Sequence, residues 1–202
     1  MHATVHQFHR SVATESPGWG ADLAHDLHGS APVGSCTLVQ PAAREGCVVA
    51  WWPTAEAAAD AAGRRTATGP TWLDAAAYEV VESYLGTADG RTPVFAQLTC
   101  FDGPRSQAEC DAAAHAGRDR IWPAVQDVPG LIAVFVLRDA DRGEIVLGLA
   151  TSVETHEAVQ RAIFATELLP DEDPALLRDP DRVQIARVVA VQLPAMTAGA
   201  SS

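Results

Sequence analysis

The sequence contains no lysine and no asparagine, so all 14 of its basic side chains are arginine. They are outnumbered by 26 acidic side chains, which gives a formal net charge of −12 at pH 7. Such a surface repels a nucleic acid, because every phosphate of the backbone adds another negative charge. The composition therefore predicts that the protein has no nucleic-acid partner.

Segments that direct a chain into or through a membrane are also missing. No apolar run approaches the roughly 18 to 20 residues that cross a bilayer, so we expect a soluble protein with no membrane partner. The beginning, MHATVHQFHR, lacks both the basic start and the apolar stretch of a secretory signal, which predicts a cytoplasmic setting. In that reducing compartment the four cysteines are expected to be thiols.

Motifs for common cofactors are absent as well. The chain has no glycine-rich phosphate loop, no nucleophile elbow and no Cys-x-x-Cys pair, so we expect no bound nucleotide or flavin. His2, His6 and His9 are close in sequence, but the last two fall on opposite faces of one predicted strand and cannot bind one metal together. We therefore predict no metal site.

A pattern of strand, turn, strand and helix occurs twice, 98 positions apart. One copy spans Pro129 to Arg161, and the other spans Pro32 to Ala62. The alternating apolar runs, the turn and the start of the helix all keep register between the copies. Aligned positions are Val48 with Val146, Thr54 with Ser152 and Glu56 with Glu154. The chain is interpreted as one supersecondary unit written twice.

Each half of the chain has the predicted order strand, helix, strand, strand, helix, strand. The halves are residues 1–86 and 93–194, joined by a short polar linker. With antiparallel pairing this is the order of the ferredoxin-like unit. One such sheet, covered by helices on one face, leaves its other face bare. We therefore predict an α+β protein whose tandem ferredoxin-like repeats pack sheet to sheet as an intramolecular dimeric α+β barrel, a pseudo-dimer that could form a further homodimer.

Two stretches carry a resemblance to a known family. Val128 to Gly130 lead into a strand, a charged turn, a second strand and a helix opened by Ser152-Val153-Glu154. Val48 to Ala58, VVAWWPTAEAA, is a strand ending in tryptophan, followed by a small polar cap and Glu-Ala. Both are similar to the antibiotic biosynthesis monooxygenase-like domains of the dimeric α+β barrel superfamily. The resemblance covers nearly the whole chain, as two tandem copies.

The resemblance implies a range of activities. The family includes cofactor-free oxygenases of electron-rich aromatic polyketides and haem-degrading enzymes, and the ligand usually lies between the sheet and its own helices. In its anthrone-oxidising members an asparagine and a tryptophan are implicated. Trp52, Trp72 and Trp122 could supply the tryptophan here, and no asparagine exists to match the other.

His156 is the candidate base. In the helix beginning at Ser152, a period of 3.6 residues places His156 and Gln160 on one stripe with Phe164 and other apolar side chains, facing the sheet. A neutral imidazole there could accept a proton from a phenol or enol. The alternative is a core histidine that is hydrogen-bonded to a backbone carbonyl.

The helix predicted from Ser106 to Asp127 carries further candidates. Its apolar stripe is predicted to be Cys110, Ala114, Gly117, Ile121 and Val125. His115, Arg118 and Trp122 follow Asp111 along one flank, where the charged groups could steady an oxyanion or simply form a solvated edge. Trp122 is a candidate wall for an aromatic ligand.

The first half offers fewer candidates by sequence. Ala58 stands at the position of His156. His25 and His28 are predicted to lie on the surface, the latter where a helix end favours a cation. If only one half is active, the sequence favours the second.

We therefore expect a cofactor-independent monooxygenase-like enzyme acting with dioxygen on an aromatic or polyketide-like small molecule, in secondary metabolism. Its catalytic residues would be His156, His115 and Arg118, and its substrate-binding residues Trp122, Gln160, Phe164, Trp52 and Trp72. Three alternatives remain open: an oxygen-independent cyclase or isomerase, a non-catalytic ligand-binding barrel, and a haem protein with His156 or His115 as axial ligand.

Overall fold

The computed structural model describes residues 1–9, 18–28, 32–40, 42–66 and 69–196. The first half contains β1 (His2–His9), α1 (Trp19–His28), β2 (Gly34–Gln40), β3 (Glu45–Trp52), α2 (Ala55–Ala62) and β4 (Thr71–Leu85). The second half contains β5 (Phe95–Phe101), α3 (Gln107–His115), a π-helical segment (Ala116–Ile121), α4 (Trp122–Val125), β6 (Leu131–Arg138), β7 (Glu144–Ala150), α5 (Val153–Phe164), a 3-10 turn (Pro174–Leu176) and β8 (Arg182–Gln192).

In the first half the neighbouring strands are β1-β3-β2, with β4 on the other side of β1, and in the second half they are β5-β7-β6, with β8 on the other side of β5. Strand β1 pairs antiparallel with both β3 and β4, and β7 pairs antiparallel with both β5 and β6. Each half thus has its fourth strand beside its first, and its third strand beside its second. The predicted α+β class and the element order are confirmed. The packing of two repeats as an intramolecular dimer stays a prediction.

Contacts divide the chain into two compact units. Unit 1 comprises Met1–Val81 with Ile185–Ser202, and unit 2 comprises Glu82–Gln184. The divisions fall inside β4 and β8, whereas the predicted halves end after these strands. The reason in unit 1 is that the last part of β8 pairs with β2, from Val39 opposite Arg187 to Ser35 opposite Gln192.

The helix starts follow from local side chains. Thr54 accepts a hydrogen bond from the Ala57 amide at the start of α2, and Ser152 accepts one from Thr155 at the start of α5. These caps satisfy amides that have no partner within the helix. Both caps lie where the sequence predicts them, 98 positions apart.

In unit 1, α1 packs its apolar stripe on the sheet. Leu23 and Leu27 are buried against Phe8, Val39 and Val48. The alanine-rich α2 packs Ala58 and Ala61 against Ala50 and Trp52. Small side chains let α2 approach the sheet closely, which places its backbone within reach of side chains from β1.

The start of β4 and the first long helix of the second half differ from the prediction. Strand β4 begins at Thr71 rather than Ala76, because its first residues pair with the end of β1 beyond a bulge between Gln7 and Phe8. The helix from Gln107 is π-helical over Ala116–Ile121. A π turn holds one extra residue, so Ala116 is buried in place of the predicted Gly117.

None of the helices in the described ranges has the length and apolar character to span a membrane. All four cysteines are buried.

Candidate functional site

His156 lies buried on α5 with 3% of its surface exposed. Thr155 fixes the start of this helix by donating a hydrogen bond to the Pro129 carbonyl. The imidazole lies over Gly148 of β7, where an added Cβ would come 3.7 Å from Cε1 of the ring. The prediction that His156 points at the sheet is confirmed.

The ring of His156 is held in one tautomer. It hydrogen-bonds the backbone of Phe95 on β5, and Nε2 has no partner among the described residues. A carbonyl can only accept, so the bonded nitrogen carries the proton and Nε2 keeps its lone pair free. Burial lowers the pKa of His156, and this hydrogen bond opposes the shift. The result is a neutral imidazole with a free acceptor nitrogen.

His6 has the same arrangement in unit 1, with the elements exchanged. It projects from the first strand, and its Nε2 lies 3.1 Å from the Ala61 carbonyl oxygen of α2. Nδ1 has no partner in the described part of the chain. His156 instead projects from the second helix toward the first strand of its half. Ala96 aligns with His6, and Ala58 aligns with His156.

His28 is buried, so the prediction that it lies on the surface is wrong. Only 1% of it is exposed, and neither ring nitrogen has a partner among the residues described. Its ring lies 5.1 Å from that of His6 and 5.3 Å from that of Trp52. Burial, together with smaller contributions from repulsion by His6 and Arg64, lowers its pKa to about 3. We refer to His6 and His28 as the unit 1 imidazole pair.

The sequence held a signal for this burial. Gly20 and Ala24 precede His28 at intervals of four, and both are buried. Together with Leu23 and Leu27 they make the buried face of α1 wider than one stripe. A helix with small residues lying close to the sheet can bury a ring at its end even where the dipole would favour an exposed cation.

Trp52 and Trp72, predicted to bind substrate, lie beside the unit 1 imidazole pair. Trp52 is buried and donates from Nε1 to Thr4 Oγ1 at 3.1 Å. Trp72 is half-buried, and its ring centroid lies 5.9 Å from that of His6. Arg64 places its guanidinium 5.9 Å from the centre of the Trp52 ring and donates to the His28 carbonyl.

His115 and Arg118 lie in an ion-pair network on unit 2. His115 Nδ1 is 2.7 Å from Asp119 and its Nε2 is 3.3 Å from Asp171. Arg118 lies 3.2 Å from Glu82. Hydrogen bonds to Asp119 and Asp171 raise the pKa of His115, which favours its cation. Both residues are at least partly exposed, as the solvated-edge alternative predicted, and both nitrogens of His115 face carboxylates rather than an open ligand position.

Trp122 stacks on Tyr84, a residue that the sequence did not single out. The ring centroids are 4.6 Å apart and the planes differ by 23°. Tyr84 donates a hydrogen bond to Glu82, and burial with this carboxylate raises its pKa. Stacking on Tyr84 of β4 therefore fixes the plane of the Trp122 ring.

Gln160 is half-buried one turn after His156, but Phe164 is 83% exposed. The prediction that Phe164 lies among buried side chains is wrong, because α5 ends at this residue. The acidic insertion that follows α5, Leu168 to Asp181, contacts the π-helical segment. Glu172 lies 2.8 Å from Arg120, and Arg120 also donates to Thr166.

The described residues contain no group of three or more histidine, cysteine, aspartate or glutamate side chains that could hold a metal ion. The arrangement therefore consists of neutral, buried imidazoles between sheets and helices, with tryptophans beside them in unit 1 and a charged network on the surface of unit 2.

No protein-family model matches the sequence, and no curated protein matches it. Solved structures do match in fold. A provisionally named monooxygenase from Fusobacterium nucleatum is 10% identical with a TM-score of 0.58, and covers 95% of this chain and 93% of its own. An anthrone oxidase-like protein is 14% identical with a TM-score of 0.59, and covers 95% and 92%.

A ferredoxin-fold protein from Listeria monocytogenes, described as related to antibiotic biosynthesis monooxygenases, is 10% identical with a TM-score of 0.50. The match covers 92% of this chain and 94% of that one. At such identities the likeness establishes the fold. The chain has the fold of structures described as monooxygenases and as their ferredoxin-fold relatives.

Proposed function

We propose that the protein is a cofactor-independent monooxygenase-like enzyme that acts on an aromatic or polyketide-like small molecule, with His156 as its base. The observation that carries the proposal is the fixed tautomer of His156, which leaves Nε2 free in a buried site. A buried acceptor without a partner costs about 1–3 kcal/mol, so a functional reason for it is worth testing. The fold likeness to an anthrone oxidase-like protein supports the reaction class.

The base would start the reaction by removing an acidic proton from the substrate. The resulting carbanion or phenolate gives one electron to dioxygen, and the substrate radical and superoxide combine into a peroxide anion. This anion takes the proton back from His156 and becomes a hydroperoxide. Loss of water then leaves a new carbonyl. In the anthrone case the two C–H bonds of one methylene supply the electrons, one oxygen atom enters the product and the other leaves as water. The balance needs no external reductant, so we propose that no cofactor takes part.

The other candidates have supporting roles in this proposal. Trp122, held flat against Tyr84, would form an aromatic wall. Gln160 follows His156 by four residues, so it lies on the same side of α5 and could orient a substrate oxygen. His115 and Arg118 carry positive charge that would steady an oxyanion, although carboxylates already compensate both of them. Aromatic polyketides belong to secondary metabolism, which is where we place the reaction.

Oxygen uptake with a model anthrone and a panel of polyphenols tests the proposal. His156→Gln removes the base but keeps an amide that can donate to the Phe95 carbonyl. We expect uptake to fall at least about tenfold, a loss near 1.4 kcal/mol of transition-state stabilisation. His25→Gln changes an exposed histidine on α1 and should leave uptake unchanged.

Uptake that survives in His156→Gln would contradict the assignment of the base. Substrate turnover without oxygen uptake would instead identify an oxygen-independent isomerase or cyclase. Binding without turnover would leave a ligand-binding protein.

A further inference from the structure

Two neighbouring carboxylates of the acidic insertion hold it on the first long helix of unit 2. Glu172 lies 2.8 Å from Arg120, and Asp171 lies 3.3 Å from Nε2 of His115. The side chain of Glu172 is buried, whereas that of Asp171 is 72% exposed. Arginine stays charged in proteins, but histidine loses its charge near neutral pH. One of the two attachments can therefore respond to pH.

Both ring nitrogens of His115 face carboxylates, which can only accept hydrogen bonds. Nδ1 lies 2.7 Å from Oδ2 of Asp119, and Nε2 lies 3.3 Å from Oδ2 of Asp171. A neutral imidazole has one N–H and can donate to only one of these groups, whereas the cation has two. The hydrogen bonds to Asp119 and Asp171 also raise the pKa of His115 above its usual 6.5. The contacts therefore fit the imidazolium.

Loss of the proton affects the contact with Asp171 first. The shorter contact, to Asp119 four residues later in the chain, keeps the remaining N–H on Nδ1. The lone pair of Nε2 then faces the Asp171 carboxylate, so an attraction becomes a repulsion. In the part of the chain that the structure describes, Asp171 has no second cation within 4.0 Å. Asp171 therefore loses its attachment when His115 becomes neutral.

The other charged groups near His115 do not replace it. Arg118 lies 3.7 Å from Asp119 and 3.2 Å from Glu82 of β4, so carboxylates already compensate its charge. Asp111, one turn earlier on α3, accepts a hydrogen bond from a glutamine of the same helix. The 3-10 turn of the insertion packs on α3 without an ionisable side chain, and the aspartate before it caps its start. His115 thus provides the titratable contact between helix and insertion.

We propose that His115 is a pH-sensitive latch for the acidic insertion. As a cation it holds Asp171 and keeps the insertion against the helix. When it gives its proton to the solvent it releases Asp171, and the insertion opens around Glu172, which stays bound to Arg120. The closed form has the full contribution of the latch below pH 6.5 and loses it as the pH rises through the raised pKa of His115.

Hydrogen exchange of the full-length protein, followed by mass spectrometry, measures how often the insertion opens. The amides of Leu169 and Glu172 report on opening, because each donates a hydrogen bond within the insertion. Exchange itself depends on pH, so each variant is compared with the unaltered protein at the same pH, once at pH 6 and once at pH 9. The measurement uses no substrate, so its result does not depend on the proposed oxygenase activity.

Matched variants identify the groups of the latch. At pH 6 we expect the insertion of Asp171→Asn to exchange about threefold faster than that of the unaltered protein, as for the loss of an exposed ion pair. At pH 9 this difference should disappear. His115→Gln, which carries no charge, should behave like Asp171→Asn at pH 6. Asp179→Asn neutralises an exposed carboxylate of the same insertion and should match the unaltered protein at both pH values.

Glu172→Ala should exchange faster at both pH values, because the charge of Arg120 does not depend on pH in this range. The latch would be overturned by unchanged exchange in Asp171→Asn or in His115→Gln at pH 6, or by a difference that is as large at pH 9 as at pH 6. Faster exchange of β5 and β7 in Asp171→Asn would also overturn it, because the effect would then come from unfolding of unit 2 rather than from the insertion.

Discussion

Two buried histidines, His6 and His28, should determine how the stability of unit 1 depends on pH. Burial lowers the pKa of His6 from 6.5 to about 4 and that of His28 from 6.5 to about 3. Below pH 6.5 the unfolded chain therefore binds protons that the folded chain does not. The free energy of unfolding should fall as the pH falls, by up to about 1.4 kcal/mol per pH unit for each histidine. At pH 7 and above, this contribution to stability is complete.

Urea unfolding between pH 7 and pH 4 measures this slope. His28→Phe should show a shallower fall than the unaltered protein, and His25→Phe should show the same fall. Identical slopes in all three would mean that His28 is accessible to protons in the folded state. The comparison between variants removes the contribution of the carboxylates, which they share.

Gly117 and Gly46 differ in the space that is available for an added side chain. An added Cβ at Gly117 meets nothing within 4 Å, so Gly117→Ala should stabilise the helix by about 0.5–1 kcal/mol. At Gly46 of β3 the same atom would lie 2.5 Å from the Phe8 ring, so Gly46→Ala should destabilise the protein. Thermal unfolding of the two variants should shift in opposite directions.

Among the larger elements, the acidic insertion after α5 is held by one buried ion pair. The side chain of Glu172 is 1% exposed and that of Arg120 is 13% exposed. Glu172→Ala leaves a buried guanidinium without its carboxylate, so we expect a loss of about 3 kcal/mol in denaturant unfolding. Glu157 and Arg161 form an exposed pair on α5, and Glu157→Ala should change stability by less than about 0.5 kcal/mol. Equal effects would show that the pair of Arg120 and Glu172 stabilises the protein no more than an exposed ion pair does.

The elements that the sequence predicts well are those with a local physical cause. The caps at Thr54 and Ser152, the apolar stripe of α1 and the inward direction of His156 all follow from spacing within a few residues. The π-helical segment does not, because one extra residue in a turn changes no pattern that a period of 3.6 would detect. The prediction that His28 lies on the surface is wrong for a related reason, because its burial depends on how closely α1 approaches the sheet.

At the scale of the whole molecule, the boundaries of the two units raise the question of whether each predicted half can fold alone. The predicted first half, residues 1–86, lacks the part of β8 that pairs with β2. Without it β2 becomes an unpaired edge, which favours association or unfolding. We expect a fragment of residues 1–90 to be poorly folded alone, by circular dichroism and hydrogen exchange. It should recover structure when it is co-expressed with residues 91–202. A cooperatively folded, monomeric fragment would contradict this expectation.

The exchanged positions of His6 and His156 affect how the two halves should be compared. An alignment pairs His6 with Ala96 and Ala58 with His156, so it scores an imidazole lost at both columns. In space, however, each half joins its first strand to its second helix through one imidazole. The two halves thus differ at both aligned positions and still share a contact between strand and helix. A comparison that counts identical residues overlooks such an exchange, and His6→Ala combined with Ala58→His would move the imidazole of unit 1 from the strand to the helix.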